Sequence, residues 1–393
     1  TGSIPRMNMH LSPSKIRPVS TLLAIIFALP LSWGVLTRFY AWLSPFIMLN
    51  SVLLLKSFYF MNLVALLVLI LSVVKKRFFC NYICPTGYLC DRVSGLSPYK
   101  HSVHRKMPDI SGPVAILSVV SALAGLPLLI FFDPLSVFNG FFTVFKGNVT
   151  SWEIIVFSAF PVLLAVNFFL PGIWCSKLCP LGGLQNLSFS IRKALSHRAG
   201  KEETKNSRSP GLNRRYFLAA GAGLTAGLII PPYLKPRPES FIRPPGSTEP
   251  GVFNLLCIRC GNCIKSCPTG IITRNSDTEN LMSFMTPVIS FTDGYCLETC
   301  NNCGMVCPTG SIAGFSIRQK KDIFIGKAVI RLNGCLLLNN KDCNRCKVSC
   351  SYNAIEYKYS EELMATIPVV KMEQCTGCGA CYVMCPAGVI DII

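Results

Sequence analysis

The chain has 393 residues, of which 51% are hydrophobic and only 15% are charged, so it is too apolar for an ordinary water-exposed domain. A formal net charge of +19 would suit nucleic acid, but residues 1–232 carry 22 Lys and Arg against 6 Asp and Glu, whereas residues 233–393 carry 16 against 13. Because the positive excess belongs to the apolar half, we interpret it as a membrane topology signal and exclude a nucleic-acid partner.

The first half contains four apolar runs, each close to the ~20 residues that cross a bilayer core. They lie near residues 19–36, 58–74, 114–132 and 154–170. We therefore predict a transmembrane α-helical bundle of four spans over residues 1–196. Lys and Arg cluster before the first run and after the second and fourth, so the positive-inside rule places the N-terminus in the cytoplasm. The expected localisation is the cytoplasmic (inner) membrane, crossed several times.

Two loops of this half repeat the pattern Cys-x3-Cys-Pro, in FFCNYICPTGYLCD and IWCSKLCPLGGLQ. Each follows an apolar run that ends on the predicted cytoplasmic face, so two pairs of thiolates would meet there. We predict that one [4Fe–4S] cluster is bound by Cys80, Cys84, Cys175 and Cys179. A zinc site or simple packing cysteines are the alternatives. Cys90 is left over, either as a substitute ligand or as a buried residue.

The four histidines lie outside all predicted spans, at positions 10, 101, 104 and 197. A transmembrane haem needs axial ligands at membrane depth, so we expect no haem in this chain.

Residues 197–250 join the two halves. A polar, basic linker leads into a short apolar segment, residues 217–230, and then into a proline-rich tether. Residues 213–218, NRRYFL, resemble a twin-arginine export signal, and no small-residue cleavage pattern follows them. We expect a fifth anchor that brings the rest of the chain to the extracytoplasmic side. The alternative is a cytoplasmic linker and a short core helix.

Residues 251–393 contain four cysteine runs whose spacing is close to Cys-x2-Cys-x2-Cys-x3-Cys-Pro, the pattern that binds [4Fe–4S] clusters. The sixteen predicted ligands are Cys257, Cys260, Cys263, Cys267, Cys296, Cys300, Cys303, Cys307, Cys335, Cys343, Cys346, Cys350, Cys375, Cys378, Cys381 and Cys385. The third run is irregular, because Cys335 lies eight residues before Cys343 and Ser351 stands where proline is expected. Sixteen thiolates suffice for four clusters. Zinc ribbons and disulfides are the competing interpretations.

Short segments rich in β-branched residues flank the runs: TPVISF, KAVIRL and IPVVKM precede the second, third and fourth runs, and GIITR, SIAGFSI, AIEYKY and GVIDII follow the four runs. They predict a small α+β domain of two ferredoxin-like dicluster units. The pairing of the runs stays open at this point. Runs one and two could pair, and three and four, or the order could be nested as one with four and two with three.

The two Cys-x3-Cys-Pro loops on four apolar runs resemble the NapH/MauN-type quinol dehydrogenase membrane subunit. Residues 213–218 followed by four cysteine runs resemble its NapG/MauM-type polyferredoxin partner, so the chain looks like a fusion of the two. The resemblance implies a respiratory complex subunit with quinone or quinol and an extracytoplasmic redox protein as partners, either a cytochrome c or an oxidoreductase subunit. The chain departs from the resemblance in having no ferredoxin run between Cys179 and Cys257.

The predicted function is a membrane-anchored iron–sulfur subunit of an oxidoreductase complex, which relays electrons between the quinone pool and an extracytoplasmic partner. The chemistry is outer-sphere electron transfer, and we assign no catalytic acid, base or nucleophile. Two alternatives stay open: an electron donor for biogenesis or reductive maintenance of another enzyme, and a membrane ferredoxin that faces the cytoplasm.

Overall fold

The computed structural model describes residues 13–30, 39–60, 62–99, 107–146, 153–199, 214–230, 241–292, 294–339 and 341–393. These residues form two compact units. The helical unit comprises the described residues within 13–29, 39–142 and 155–230, and the cysteine-rich unit comprises residue 30 and those within 143–154 and 241–393.

The helical unit is built from α-helices of four to twenty residues. They are α1 Pro13–Ala28, α2 Phe39–Trp42, α3 Pro45–Leu55, α4 Asn62–Val74, α5 Phe78–Tyr82, α6 Pro85–Gly95, α7 Ser111–Leu123, α8 Pro134–Phe141, α9 Glu153–Phe169, α10 Pro180–Ala199 and α11 Arg214–Ile229. A π-helix, Trp174–Leu178, precedes α10. The core holds fully buried aromatic and aliphatic side chains such as Phe46, Phe79, Phe138 and Leu181, together with Cys84 and Cys179. Two of the predicted cluster ligands therefore lie inside the core of this unit.

The predicted transmembrane bundle is wrong: none of the helices in the described ranges is both long and apolar enough to cross a membrane. The second and third apolar runs form helices of only 13 residues, about 20 Å, against the ~30 Å of a bilayer core. The third run stops at Gly125, whose φ of 99° is left-handed. α10 has 20 residues but is polar, with Arg192 and Lys193 among them.

The same finding contradicts the predicted inner-membrane localisation, which placed the N-terminus in the cytoplasm and the ferredoxin domain on the extracytoplasmic side. Part of the first run, residues 31–36, lies outside the described residues, as does Asn213 of the twin-arginine-like motif. The apolar segment that follows this motif belongs to α11, a helix of 16 residues.

α11 packs closely against α7 because both contact surfaces are made of small residues. A Cβ atom at Gly223 would lie 2.6 Å from the carbonyl oxygen of Leu117, and one at Gly227 would lie 2.9 Å from that of Ser121. Only glycine permits this backbone approach. The glycines of the predicted anchor thus serve helix packing within the helical unit.

The cysteine-rich unit combines short helices with three two-stranded antiparallel sheets. Its helices are α12 Pro250–Leu256, α13 Asn262–Ser266, α14 Asn302–Val306, α15 Arg345–Val348 and α16 Ala380–Met384, with a 3₁₀ helix at Ile317–Asp322. Its strands are β1 Ile272–Arg274, β2 Pro287–Ile289, β3 Ala328–Ile330, β4 Ile355–Ser360, β5 Ala365–Val370 and β6 Ile390–Ile392. Six of the seven predicted segments contain or overlap a strand, so that part of the sequence interpretation is confirmed, whereas SIAGFSI, residues 311–317, forms only an isolated bridge at Ile312.

The pairing of strands shows which cysteine runs belong together. β4, after run three, pairs with β5, before run four, and β3 pairs with β6 outside them. Around runs one and two, β1 pairs with β2, while a single bridge between Ser247 and Ile312 takes the place of the outer sheet. The topology therefore joins run one to run two and run three to run four.

Candidate metal centres

The Cys-Pro step positions the second cysteine of each loop in the helical unit. A residue before proline is held in extended conformation, and proline is favoured at the first position of a helix. Cys84 and Cys179 accordingly have ψ angles of 113° and 115°, and α6 and α10 begin at the prolines that follow. Each sulfur accepts a hydrogen bond from the backbone N–H three residues on, Gly87 at 3.3 Å and Gly182 at 3.4 Å. The cysteine sulfurs thus cap the helices and are fixed by them.

The two loops bring four cysteines together. We name this group the loop site: Cys80, Cys84, Cys175 and Cys179. Burial raises the pKa of the Cys80 thiol to about 12, and the charge of Cys175 raises it further. Burial likewise raises the pKa of Cys84 well above its usual range, with Cys80, Cys175 and Cys179 all contributing. Such mutual effects require the four thiols to be neighbours.

The position ten residues after the first cysteine of each loop contacts the first cysteine of the other loop. In the second loop it is Gln185, whose Nε2 donates to Cys80 Sγ at 3.2 Å. In the first loop it is Cys90, whose hydrogen bond with Cys175 raises the pKa of that thiol. Cys90 is therefore a buried neighbour of the loop site, and Gln185 is its counterpart. The repeat in the sequence could have predicted this contact, because Cys90 and Gln185 each lie ten residues after the first cysteine of their loops, Cys80 and Cys175.

In the cysteine-rich unit, three cavities are each lined by four cysteines, three from one run and one from the paired run. Site 1 is lined by Cys257, Cys260, Cys263 and Cys307. Site 2 is lined by Cys267, Cys296, Cys300 and Cys303. Site 3 is lined by Cys350, Cys375, Cys378 and Cys381. The cavities are similar in size, about 390, 350 and 330 Å³ with the space open to solvent included.

The remaining four cysteines form site 4: Cys335, Cys343, Cys346 and Cys385. Burial raises the pKa of Cys346, and the neighbouring Cys343 and Cys335 raise it further. Cys385 packs against a core that contains cysteines of sites 3 and 4, and we assign it to site 4 because site 3 already has four thiols. The irregular third run thus keeps its three thiols together despite the eight-residue gap after Cys335.

The donor set fits a group with several irons. In the described part of the chain, no three His, Cys, Asp or Glu side chains come close enough to hold a single metal ion. A cube of four irons is larger than one ion, and the cavities provide four thiols around such a space. Burial raises the pKa of Cys260, Cys303 and Cys381 to about 12, so these thiols bind as thiolates only where a cation offsets the charge.

Hydrogen-bond donors are already aimed at several of these sulfurs. The backbone N–H groups of Ile312, Ala354 and Ala328 lie 3.2–3.4 Å from the sulfurs of Cys307, Cys350 and Cys375. Donors of this kind are the means by which a protein tunes an iron–sulfur cluster. Spacing between cysteines predicted the ligands but contained no information about these donors.

Comparisons with known families agree with both sets of sites. A family of 4Fe-4S dicluster domains matches residues 256–311 and 341–389. A family of 4Fe-4S binding domains matches residues 57–104 and 152–198, the two segments that contain the loop-site cysteines. No solved structure matches this chain.

Curated relatives are ferredoxin-type proteins. NapF of Haemophilus influenzae is 33% identical over 151 residues, which is 38% of this chain and 78% of that protein. The NapF of Escherichia coli K12 is 30% identical over 153 residues, 38% of this chain and 82% of that protein. MauM of Methylorubrum extorquens, a methylamine utilization ferredoxin-type protein, is 28% identical over 184 residues, 43% of this chain and 80% of that protein. These relatives support the polyferredoxin part of the predicted fusion and give no support to a NapH/MauN membrane subunit.

Proposed function

We propose, from the premise that this chain belongs to the family of ferredoxin-type proteins that includes NapF, that it transfers electrons through five [4Fe–4S] clusters, four in the cysteine-rich unit and one at the loop site. That it is an iron–sulfur electron-transfer protein follows from the family and from the 4Fe-4S domains. The number of clusters and their ligands are the proposal. One-electron storage at low potential is the chemistry such clusters supply.

The observation that carries the proposal is the exchange of cysteines between paired runs. Run one gives three thiols to site 1 and its last cysteine, Cys267, to site 2, while run two gives Cys307 to site 1. Run three gives Cys350 to site 3, and we infer that run four gives Cys385 to site 4 in the same way. Two clusters that share both runs lie close together, which favours rapid electron exchange between them.

The two pairs of sites also meet. The backbone N–H of Cys296, a site 2 residue, donates to the carbonyl oxygen of Cys378, a site 3 residue, at 2.8 Å. The Phe291 and Tyr382 rings pack at 6.0 Å beside this contact. We infer a linear order of sites 1, 2, 3 and 4, with the Cys296–Cys378 hydrogen bond at its middle. Electrons would enter at one end of this order and leave at the other.

The partners follow as proposals from this role. A chain of low-potential clusters needs one redox partner to supply electrons and another to accept them, in a hetero-oligomeric complex. The quinone and the cytochrome c or oxidoreductase subunit predicted from the sequence stay predictions.

Two double variants test the assignment of ligands. Cys260 and Cys307 belong to one site, whereas Cys267 and Cys307 belong to two. We expect the wild-type protein, purified anaerobically, to contain about twenty irons, five cubes of four. Cys260→Ser with Cys307→Ser should lose about four irons, and Cys267→Ser with Cys307→Ser about eight. The same count in both variants would refute the exchange of cysteines, and a wild type without cubane iron would refute the function.

A further inference from the structure

Lys320 is a buried cation in an otherwise exposed basic segment. It lies in the 3₁₀ helix Ile317–Asp322, whose start is fixed by a capping box between Ser316 and Gln319. Its neighbours Arg318 and Lys321 are exposed, but Lys320 is only 3% exposed. Lysine is almost never buried to this extent unless its charge is compensated.

The ammonium group of Lys320 points at site 2. It lines the same cavity as the four cysteines of that site. Nζ donates to Cys296 Sγ at 3.3 Å and also to the carbonyl oxygens of Leu297 and Cys300. All three acceptors belong to the ligand loop of run two, so the lysine and the loop hold each other in place.

No carboxylate within the described ranges forms an ion pair with Lys320, so none of those groups supplies the compensating negative charge. Two carbonyls satisfy the hydrogen bonds of the ammonium but do not neutralise its charge. Burying an uncompensated ammonium is costly. A cluster held by four thiolates carries net negative charge at this position, so it supplies what the lysine lacks.

We propose that Lys320 sets the reduction potential of the cluster at site 2, an inference that rests on the proposed function. A buried positive charge and an N–H donor to sulfur both stabilise the electron that the reduced cluster gains. Lys320 therefore makes site 2 easier to reduce than its cysteines alone would. It is a positioning and tuning residue, since its contact with the group runs through Cys296.

The test uses the full chain, purified anaerobically, in redox titrations followed by electron paramagnetic resonance. Lys320→Met should keep the wild-type iron content and lower the equilibrium constant for reduction of one cluster at least tenfold, which is 59 mV for one electron. Lys321→Met is the matched control, because it removes an equal charge from the exposed neighbour, and it should change that constant less than twofold. Lys320→Arg, which keeps the charge, should retain most of the wild-type potential.

Iron content separates this proposal from the proposed function, since the count reports the clusters and the titration reports the lysine. Full iron with unchanged potentials in Lys320→Met would overturn the proposal. If that variant loses about four irons, Lys320→Gln decides instead, because its amide can still donate to the carbonyls while carrying no charge. A lowered potential in Lys320→Gln supports the tuning role, and a wild-type potential overturns it.

Discussion

The loop site and each site of the cysteine-rich unit contain four thiols, but the charges around those thiols differ between the two units. Sites 1 and 2 lie among buried cations: Lys320, Lys265 and Arg274 are only 3%, 6% and 7% exposed. At the loop site the cations Arg77 and Arg17, which act on Cys80, are only partly buried, whereas burial raises the pKa of Cys179 and the fully buried carboxyl group of Asp133 adds to that effect. Buried charge changes cluster potential, so one chain can hold clusters of well-separated potential without changing a ligand. The loop-site cluster should be the harder one to reduce.

This comparison requires the loop site to be a four-thiol site with Cys90 outside it. Cys175→Ser should remove the loop-site cluster, about four irons, because a ligand is lost. Cys90→Ser should keep all the iron, since serine can still donate to Cys175. Iron and acid-labile sulfide analysis of the two anaerobic variants gives the answer. Loss of iron in Cys90→Ser together with retention of iron in Cys175→Ser would show that Cys90 is the ligand. The assignment of the four loop-site thiols would then be wrong.

A smaller effect is expected at Gln185, the neutral donor of the loop site. Its Oε1 is held by the backbone N–H of Phe79 at 3.1 Å, which turns Nε2 toward Cys80. Gln185→Leu keeps the approximate volume but removes the donor, so the loop-site potential should fall by about 30 mV, a few-fold in the reduction constant. Gln185→Glu, which adds a negative charge, should lower it further in the same titration. A loop-site potential that is equal in all three proteins would show that the donor has no influence.

The sequence singled out these cysteines because thiolate binding of a cluster leaves a local signature in their spacing. The structure groups twelve of the predicted cysteines around three cavities and places the loop-site cysteines close enough to affect one another's pKa, while their binding of clusters stays a prediction. The pairing of the runs could not be read from spacing, because it depends on which strands pair. Lys320 was equally hidden, since RQKKD reads as a solvated basic stretch and only the fold buries its middle residue.

The membrane prediction failed for a related reason. Counting apolar residues treats a run as one helix, whereas the chain divides the third run into α7, a turn at Gly125 and a 3₁₀ helix, Ile130–Phe132. The apolar run does bury residues such as Ala115 and Ala122, but its helix is shorter than the predicted span. Helix breaks depend on single residues, and a hydropathy window averages over them.

The last expected effect is on stability and concerns the buried carboxyl group of Asp133 in the helical unit. Asp133 accepts hydrogen bonds from Ser44 at 2.6 Å and from the N–H of Leu135 at 2.9 Å, yet burial outweighs them and raises its pKa to about 6. A carboxyl group whose pKa is raised on folding stabilises the folded state while it is neutral. That stability is lost as the pH rises from about 4 through 6.

Between pH 5 and pH 7, the wild-type helical unit should therefore lose about 1 kcal/mol of unfolding free energy through Asp133. Asp133→Asn has no charge to gain, so its loss over this range should be smaller by that amount. Anaerobic urea unfolding, followed by the emission of Trp42 and Trp174 in the cluster-loaded chain, measures the difference. The exposed Asp109→Asn serves as the control and should keep the wild-type slope. If Asp133→Asn also keeps that slope, the carboxyl group is already compensated when charged, and the electrostatic contrast between the two units is weaker than their burial implies.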